Sequence, residues 1–164
     1  MLISSLKLDR IDIRILGQLQ KSGRIANVEL ADAVGLSPSP CLIRVKRLEK
    51  GGYVTGYGAH VALEKLADVQ VVFSQVTLRD RRLDLAKFEA ELRKIDEIVE
   101  CHMVSGSFHY VLKFVTNSVA HYQSIVEALL DAHPEIENYF SYIVMKSAFT
   151  KRHYPIEKLM SAAT

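Results

Sequence analysis

Apolar residues recur along this chain with two different periods. Up to about residue 60 they fall three and four apart, the spacing of a helix face. "LDRIDIRILGQLQKSGR" places Ile11, Ile15, Leu16 and Leu19 together. Asp9 stands at the expected N-cap with Asp12 three residues on, where a carboxylate also favours the helix dipole. Leu8 and Ile13 are spaced as a hydrophobic staple. These positions assign the two aspartates to capping rather than to catalysis or metal binding. Asn27 is placed to cap a short second helix bearing Leu30, Ala31 and Val34, and Gly35 to end it. A third helix then runs to Gly51-Gly52. Two short helices joined by a tight Gly-containing turn, behind a longer first helix, predict a helix-turn-helix. "YVTGYGAHV" alternates enough to be extended, as a wing or as a strand leading into a linker.

From residue 69 the period shortens towards two. "VQVVFSQVTLR" (69–79), "IVECHMV" (98–104), "FHYVLKFVT" (108–116) and a long last segment (136–153) read as strands. Between them lie amphipathic helices over 83–96, with Leu85, Phe88, Leu92 and Ile95 inward, and over 118–133. The second is capped by Ser118, carries Val119, Tyr122, Val126 and Leu129 inward, and is stopped by Pro134. The order is β-α-β-β-α-β, a ferredoxin-like arrangement. The expected fold class is therefore α+β. Residues 1–60 form a helix-turn-helix domain, 61–69 a linker, and 70–164 a βαββαβ domain. A sheet with helices on one face leaves its other face in need of a cover. Val72, Val76, Phe108, Tyr110 and Phe114 are expected not all to fit beneath two short helices, so the sheets of two chains are expected to pack together.

The third helix carries the candidate chemistry. On a helical wheel Cys41, Val45 and Leu48 form a buried stripe flanked by Leu42. Pro40, Ile43, Lys46, Arg47 and Lys50 fall on the opposite arc, with Arg44 on the flank. Glu49 is the one acid and lies toward the buried side. Such a cationic face neutralises phosphates and releases counterions. Arg also binds a guanine edge through two hydrogen bonds, and Ile43 suits a thymine methyl. Proline fits the first helical position because the missing N–H has no partner there anyway. Pro40 also pushes Ser39 out of the α region. Ser39 is the expected N-cap, Pro40 the first helical residue, and Ser37-Pro38 part of the turn. N–H groups near Cys41 and Leu42 are left to Ser39 or to a phosphate.

Charge sharpens this reading. Residues 1–60 hold nine Lys/Arg and five Asp/Glu, and 61–164 hold twelve and fourteen, so +4 faces −2. That asymmetry points the first domain at a polyanion. Apolar runs are far shorter than the ~20 residues of a membrane span, and the first residues lack the apolar core of a signal peptide. A cytoplasmic protein is expected, with Cys41 and Cys101 reduced. No metal-ligand spacing and no Ser-His-Asp pattern is present. Cys101 and His102 are neighbours on a strand, so they point to opposite faces and form no dyad. No enzyme, catalytic residue, metal or cofactor is expected.

The stretch "LDRIDIRILGQLQKSGRIANVELADAVGLSPSPCLIRVKRLEKGGYVTGY" closely resembles the Lrp/AsnC family of transcription regulators, and "VECHMVSGSFHYVLKF" resembles the core of that family's effector domain. The resemblance implies a regulator of pseudo-palindromic double-stranded promoter sites, a homodimer joined through its C-terminal sheets, and assembly into tetramers of dimers. Its DNA affinity or assembly would be tuned by an amino acid or related metabolite. The candidate DNA contacts are Ser37, Ser39, Pro40, Ile43, Arg44, Lys46, Arg47 and Lys50. The implied effector loop is Ser105, Gly106 and Ser107, with His109 following. Family members often read Gly-Asp-x-Asp in that loop and use its acids for the effector's ammonium. Here Ser107 and His109 stand instead, and a neutral His supplies no negative charge. Three outcomes stay open: a ligand without an α-amino group, acids from elsewhere, or no ligand. The last would make the protein an architectural one that wraps DNA as an octamer. Ile43 likewise replaces a usually polar residue and implies a changed base preference.

Overall fold

The computed structural model describes residues 7–79 and 84–161. The chain divides into two compact units. One comprises the residues up to His60 together with those from Phe149 onward, and the other Val61–Ala148.

The first unit is built on α1 (Arg10–Leu19), α2 (Asn27–Val34) and α3 (Pro38–Lys50). Ile15, Leu30, Ala31, Val34, Cys41, Val45 and Leu48 close a core between them, with Leu8, Ile11, Leu16 and Leu19 packed around it. The Asp9 cap is a full capping box: Asp12 N–H donates to Asp9 Oδ1 at 2.9 Å, and Asp9 N–H to Asp12 Oδ2 at 3.0 Å. Gly35 ends α2 at φ +77°, a left-handed conformation that glycine adopts without a Cβ penalty.

Two helix starts differ from expectation. Ala26, not Asn27, occupies the N-cap of α2, and the Asn27 side chain crosses to donate to Pro38 O at 2.8 Å. α3 begins a half-turn early, with Ser37 as N-cap and both Pro38 and Pro40 in its first turn. The first three helical N–H groups have no intrahelical acceptor, so a proline costs nothing at either position. Packing of the turn on α2 outweighs the bias that Pro40 imposes on Ser39.

The segment expected as a wing, 53–61, holds no strand; a single 3-10 turn follows at Leu63–Lys65. The last strand also stops ten residues sooner than expected. β4 covers Ile136–Ile143, and the chain then leaves the sheet. A short α6 (Ile156–Ser161) packs on α1, where Gln20 clips the backbone of Tyr154 from both ends of its amide, at 2.6 and 2.9 Å. Among the described residues, those from Phe149 to Ser161 group with the helical unit rather than with the expected C-terminal domain of 70–164.

The second unit runs β1 (Gln70–Leu78), α4 (Leu85–Leu92), β2 (Ile98–Met103), β3 (Tyr110–Thr116), α5 (Val119–Ala132) and β4. Asp84 caps α4 and Ser118 caps α5. Leu83, where a helix was expected to start, lies outside the described residues. The strands form one antiparallel sheet in the order β2-β3-β1-β4. The fold is α+β, with a ferredoxin-like second unit.

The expectation that the helices could not cover all of the named strand residues fails for most of them. Val72, Val76, Tyr110 and Phe114 lie fully buried beneath the helices, with Leu92, Phe88 and Leu129. Phe108 is half-buried just before β3. The uncovered face is the other one. Phe73, Phe140 and Tyr142 stand exposed there, and the register sets Phe73 opposite Tyr142 and Gln75 opposite Phe140.

Candidate nucleic-acid interface and effector loop

The first turn of α1 and the middle of α3 meet through charge. Asp12 is fully buried. Arg44 Nη1 donates to Asp12 Oδ1 at 2.8 Å and to Asp9 Oδ2 at 2.6 Å, and Arg47 Nη2 donates to Asp12 Oδ2 at 2.6 Å. The capping box thus doubles as a two-cation clamp on the third helix. Both guanidiniums keep an outer edge in water, with side chains 26% and 41% exposed. Arg44 takes the internal pairing its flank position allowed. Arg47, expected on the outward arc, is drawn to the same carboxylate. Each has donors to spare, since a guanidinium carries five.

What remains outward is narrower than the wheel alone indicates. Ile43 is 66% exposed, and Lys46 and Lys50 are exposed beside it with no ion pair among the described residues. Ser37, Ser39 and Pro40 lie exposed at the entry to the helix. The anion-binding capacity of that end is small. Pro38 and Pro40 have no N–H, and the Cys41 N–H, which the sequence left to Ser39 or to a phosphate, already donates to Ser37 O at 3.2 Å. Cys41 itself is buried, which pushes its thiol up and leaves it inert. Glu49 does not turn inward; it accepts the Tyr57 hydroxyl at 2.7 Å, and partial desolvation with that carboxylate pushes the phenol up to about 12.

The Asp9 carboxyl is held below its ordinary value, first by the Asp12 N–H and then by Arg44. A depressed carboxylate contributes stability above its unfolded pKa and loses it as pH falls through the folded one. The helical unit should therefore lose stability as pH drops below about 4. Asp9→Asn should flatten that acid limb, as read from thermal midpoints across pH 2–6; an unchanged limb would remove Asp9 as its source.

In the second unit the β2–β3 hairpin presents Ser105, Gly106 and Ser107 exposed at its tip, with Gly106 at φ +142°. Val104 N–H closes the hairpin on His109 O at 2.9 Å. His109 is not free to join the tip. Its Nδ1 accepts Leu78 N–H at 2.9 Å and its own backbone N–H donates to Val76 O at 2.9 Å, so the ring is pinned to β1. Only Nε2 is left for a ligand. Cys101 and His102 lie on opposite faces of β2, as their register partners Leu112 and Val111 require. Among the described residues no three His, Cys, Asp or Glu converge on a metal position, and no helix is long and apolar enough to cross a membrane.

Three features of the fold have no local signature in the sequence: the Asp12 clamp, the return of the C-terminal segment, and a cleft beside α4. The capping motif signals Asp9 and Asp12, but nothing local marks which distant cation will reach them.

Comparison with known proteins gives matching assignments for both units. The profile of the Lrp/AsnC ligand binding domain matches residues 71–154, and that of a winged helix-turn-helix DNA-binding domain matches 8–55. The chain is 44% identical over 140 residues, 85% of each chain, to the leucine-responsive regulatory protein of Salmonella typhimurium. Its fold is similar to a transcriptional regulator from Neisseria meningitidis solved as an L-Met complex, with TM-score 0.85, 34% identity, and 93% and 99% of the two chains covered. It is also similar to Escherichia coli AsnC, with TM-score 0.79, 26% identity, and 89% and 97% covered.

Proposed function

This chain belongs to the Lrp/AsnC family of DNA-binding transcription regulators, and from that premise we propose that its DNA affinity or assembly is tuned by an amino acid or related metabolite. The observation that carries the DNA half of the reading is the outward face of α3, where Ile43 is flanked by Lys46 and Lys50. Lys46 and Lys50 neutralise phosphates, Ile43 touches a base methyl, and Ser37 and Ser39 approach the backbone at the helix entry. Arg44 and Arg47 act mainly by holding α3 on α1, and offer their outer edges to phosphate. The effector half is supported by the ligand-binding family assignment and by the L-Met complex of the similar Neisseria protein. Two copies join through the uncovered sheet face, so that two recognition helices read a pseudo-palindrome. The protein acts in the cytoplasm as a regulator, without catalytic residues.

Lys46→Ala with Lys50→Ala should weaken promoter binding and reduce the slope of log affinity against log salt by about 0.9 for each phosphate no longer neutralised. Arg47→Ala should change the slope less than that pair does. Gel shifts from 50 to 200 mM salt read both, and an unchanged slope in the lysine pair would sink the assignment of these lysines to phosphate. Binding that never responds to a pool of amino acids would favour a ligand-independent architectural octamer.

A further inference from the structure

α4 does not cover the whole helix side of the sheet. Beyond it the edge strand β2 turns Cys101 and Met103 to solvent, and a cleft of about 310 Å³ opens between the two elements. That volume is at the lower end of the roughly 300–1,000 Å³ of small-molecule sites, so it suits a metabolite rather than a peptide. Its floor is apolar: Leu92 and Tyr110 are buried, with Ile98 and Met103 beside them.

Two opposite charges stand on its rim. Glu89 and Arg93 lie one helical turn apart, and both line the cleft, yet among the described residues they make no ion pair with each other. Glu89 is oriented. Its Oε1 accepts the Tyr110 hydroxyl at 2.8 Å, which leaves Oε2 without a donor among the described residues. Burial and then Glu89 raise the Tyr110 phenol well above its ordinary value, so it stays a donor at every physiological pH. Arg93 has no side-chain partner among the described residues. The other acid at the cleft, Glu100, is engaged by Lys113 at 2.7 Å.

The cleft also adjoins the hairpin. Met103 and Tyr110 are the register pair that closes the β2–β3 loop. That loop carries no acid, and its one imidazole is pinned through Nδ1. The carboxylate it lacks stands on α4.

We propose that this cleft binds a free α-amino acid with an apolar side chain, its ammonium on Glu89, its carboxylate on Arg93 and its side chain against Leu92, Ile98 and Met103. The proposal rests on the reading of the chain as amino-acid-responsive, and it moves the ammonium site from the loop to α4. Occupancy would act on the hairpin through Met103 and Tyr110.

Calorimetric titration of the full chain with L-methionine and L-leucine tests it, with N-acetyl-L-methionine and L-methioninamide as probes lacking one charge each. The free amino acids should bind, and each blocked analogue should bind about tenfold weaker or worse. Glu89→Gln and Arg93→Gln should each weaken uptake by a similar factor. Glu89→Gln still accepts from Tyr110, so its ligand-free melting point and ligand-free DNA affinity should match the wild type. Ser105→Ala with Ser107→Ala should leave uptake unchanged. If the charge variants bind like the wild type while the loop variant fails, the cleft is excluded and the amino-acid response survives. If the wild type takes up none of the twenty amino acids, both ligand readings fall, and the gel shift reports DNA binding independently. If Met103→Lys lowers the sedimenting mass without altering uptake, a second copy covers the cleft and the proposal is overturned.

Discussion

Asp12→Ala is expected to destabilise the helical unit by about 3 kcal/mol, the scale of breaking a buried charge pair. The change removes one buried carboxylate and with it bonds to Arg44, to Arg47 and to the Asp9 N–H. The cost stays near the lower end of the range because both arginines reach water and are partly solvated when released. The two cations should behave non-additively. Arg47→Ala alone leaves Asp12 paired with Arg44, and should cost about 1 kcal/mol. Removing both arginines strands a fully buried carboxylate, and should cost about as much as losing Asp12 itself. Urea unfolding of the wild type and these three variants, followed by far-UV circular dichroism, measures each cost. A shift below about 1 kcal/mol for Asp12→Ala would mean that the clamp only decorates a helix pair held by its apolar core. DNA affinity should fall with stability in Asp12→Ala, because α3 loses the bonds that set its angle on α1.

The other large effect should come from the sheet. Phe73→Asp combined with Phe140→Asp should convert the proposed sheet-to-sheet dimer to a monomer at micromolar concentration. Phe73, Phe140 and Tyr142 are 38%, 57% and 52% exposed on one face, beside Val71, Val111 and Val115, which is more apolar surface than a lone domain leaves wet. Two carboxylates placed there would lose their hydration in a closed interface, and the cation opposite Phe73, Lys113, is already engaged by Glu100 at 2.7 Å. A monomer holds one half-site, so operator affinity should drop by about a hundredfold or more through lost avidity. Sedimentation equilibrium and gel shift check the two parts separately. Neither residue belongs to the buried core, so the melting point of the monomeric fold should change little. A dimer that persists would place the contact elsewhere.

Much of this was legible in local pattern. The Asp9 capping box, the buried stripe of Cys41, Val45 and Leu48, and the βαββαβ order follow from spacing and capping chemistry, which act over a few residues. Strand parity was legible for the same reason, since side chains alternate regardless of context. Which parity the helices cover was not. Val72, Val76, Tyr110 and Phe114 were expected not all to fit beneath the helices, yet they share the covered face, because alternation is symmetric between the two sides of a sheet and only the helix crossovers break the symmetry. The first turn of α3 shows the converse. A local rule placed its start at Pro40, and packing against α2 moved it to Pro38.

The sequence by itself therefore determined the three helices of the first unit, the βαββαβ order of the second, the family and the cationic character of the third helix, since each depends on neighbours a few residues away. Tertiary structure alone decided which cations are spent and which are offered. Asp12 meets Arg47 across 35 residues of chain, His109 is tied to β1, and the C-terminal segment returns to α1. These pairings depend on distance in space, and a buried carboxylate takes whichever cation the packing brings within about 3 Å.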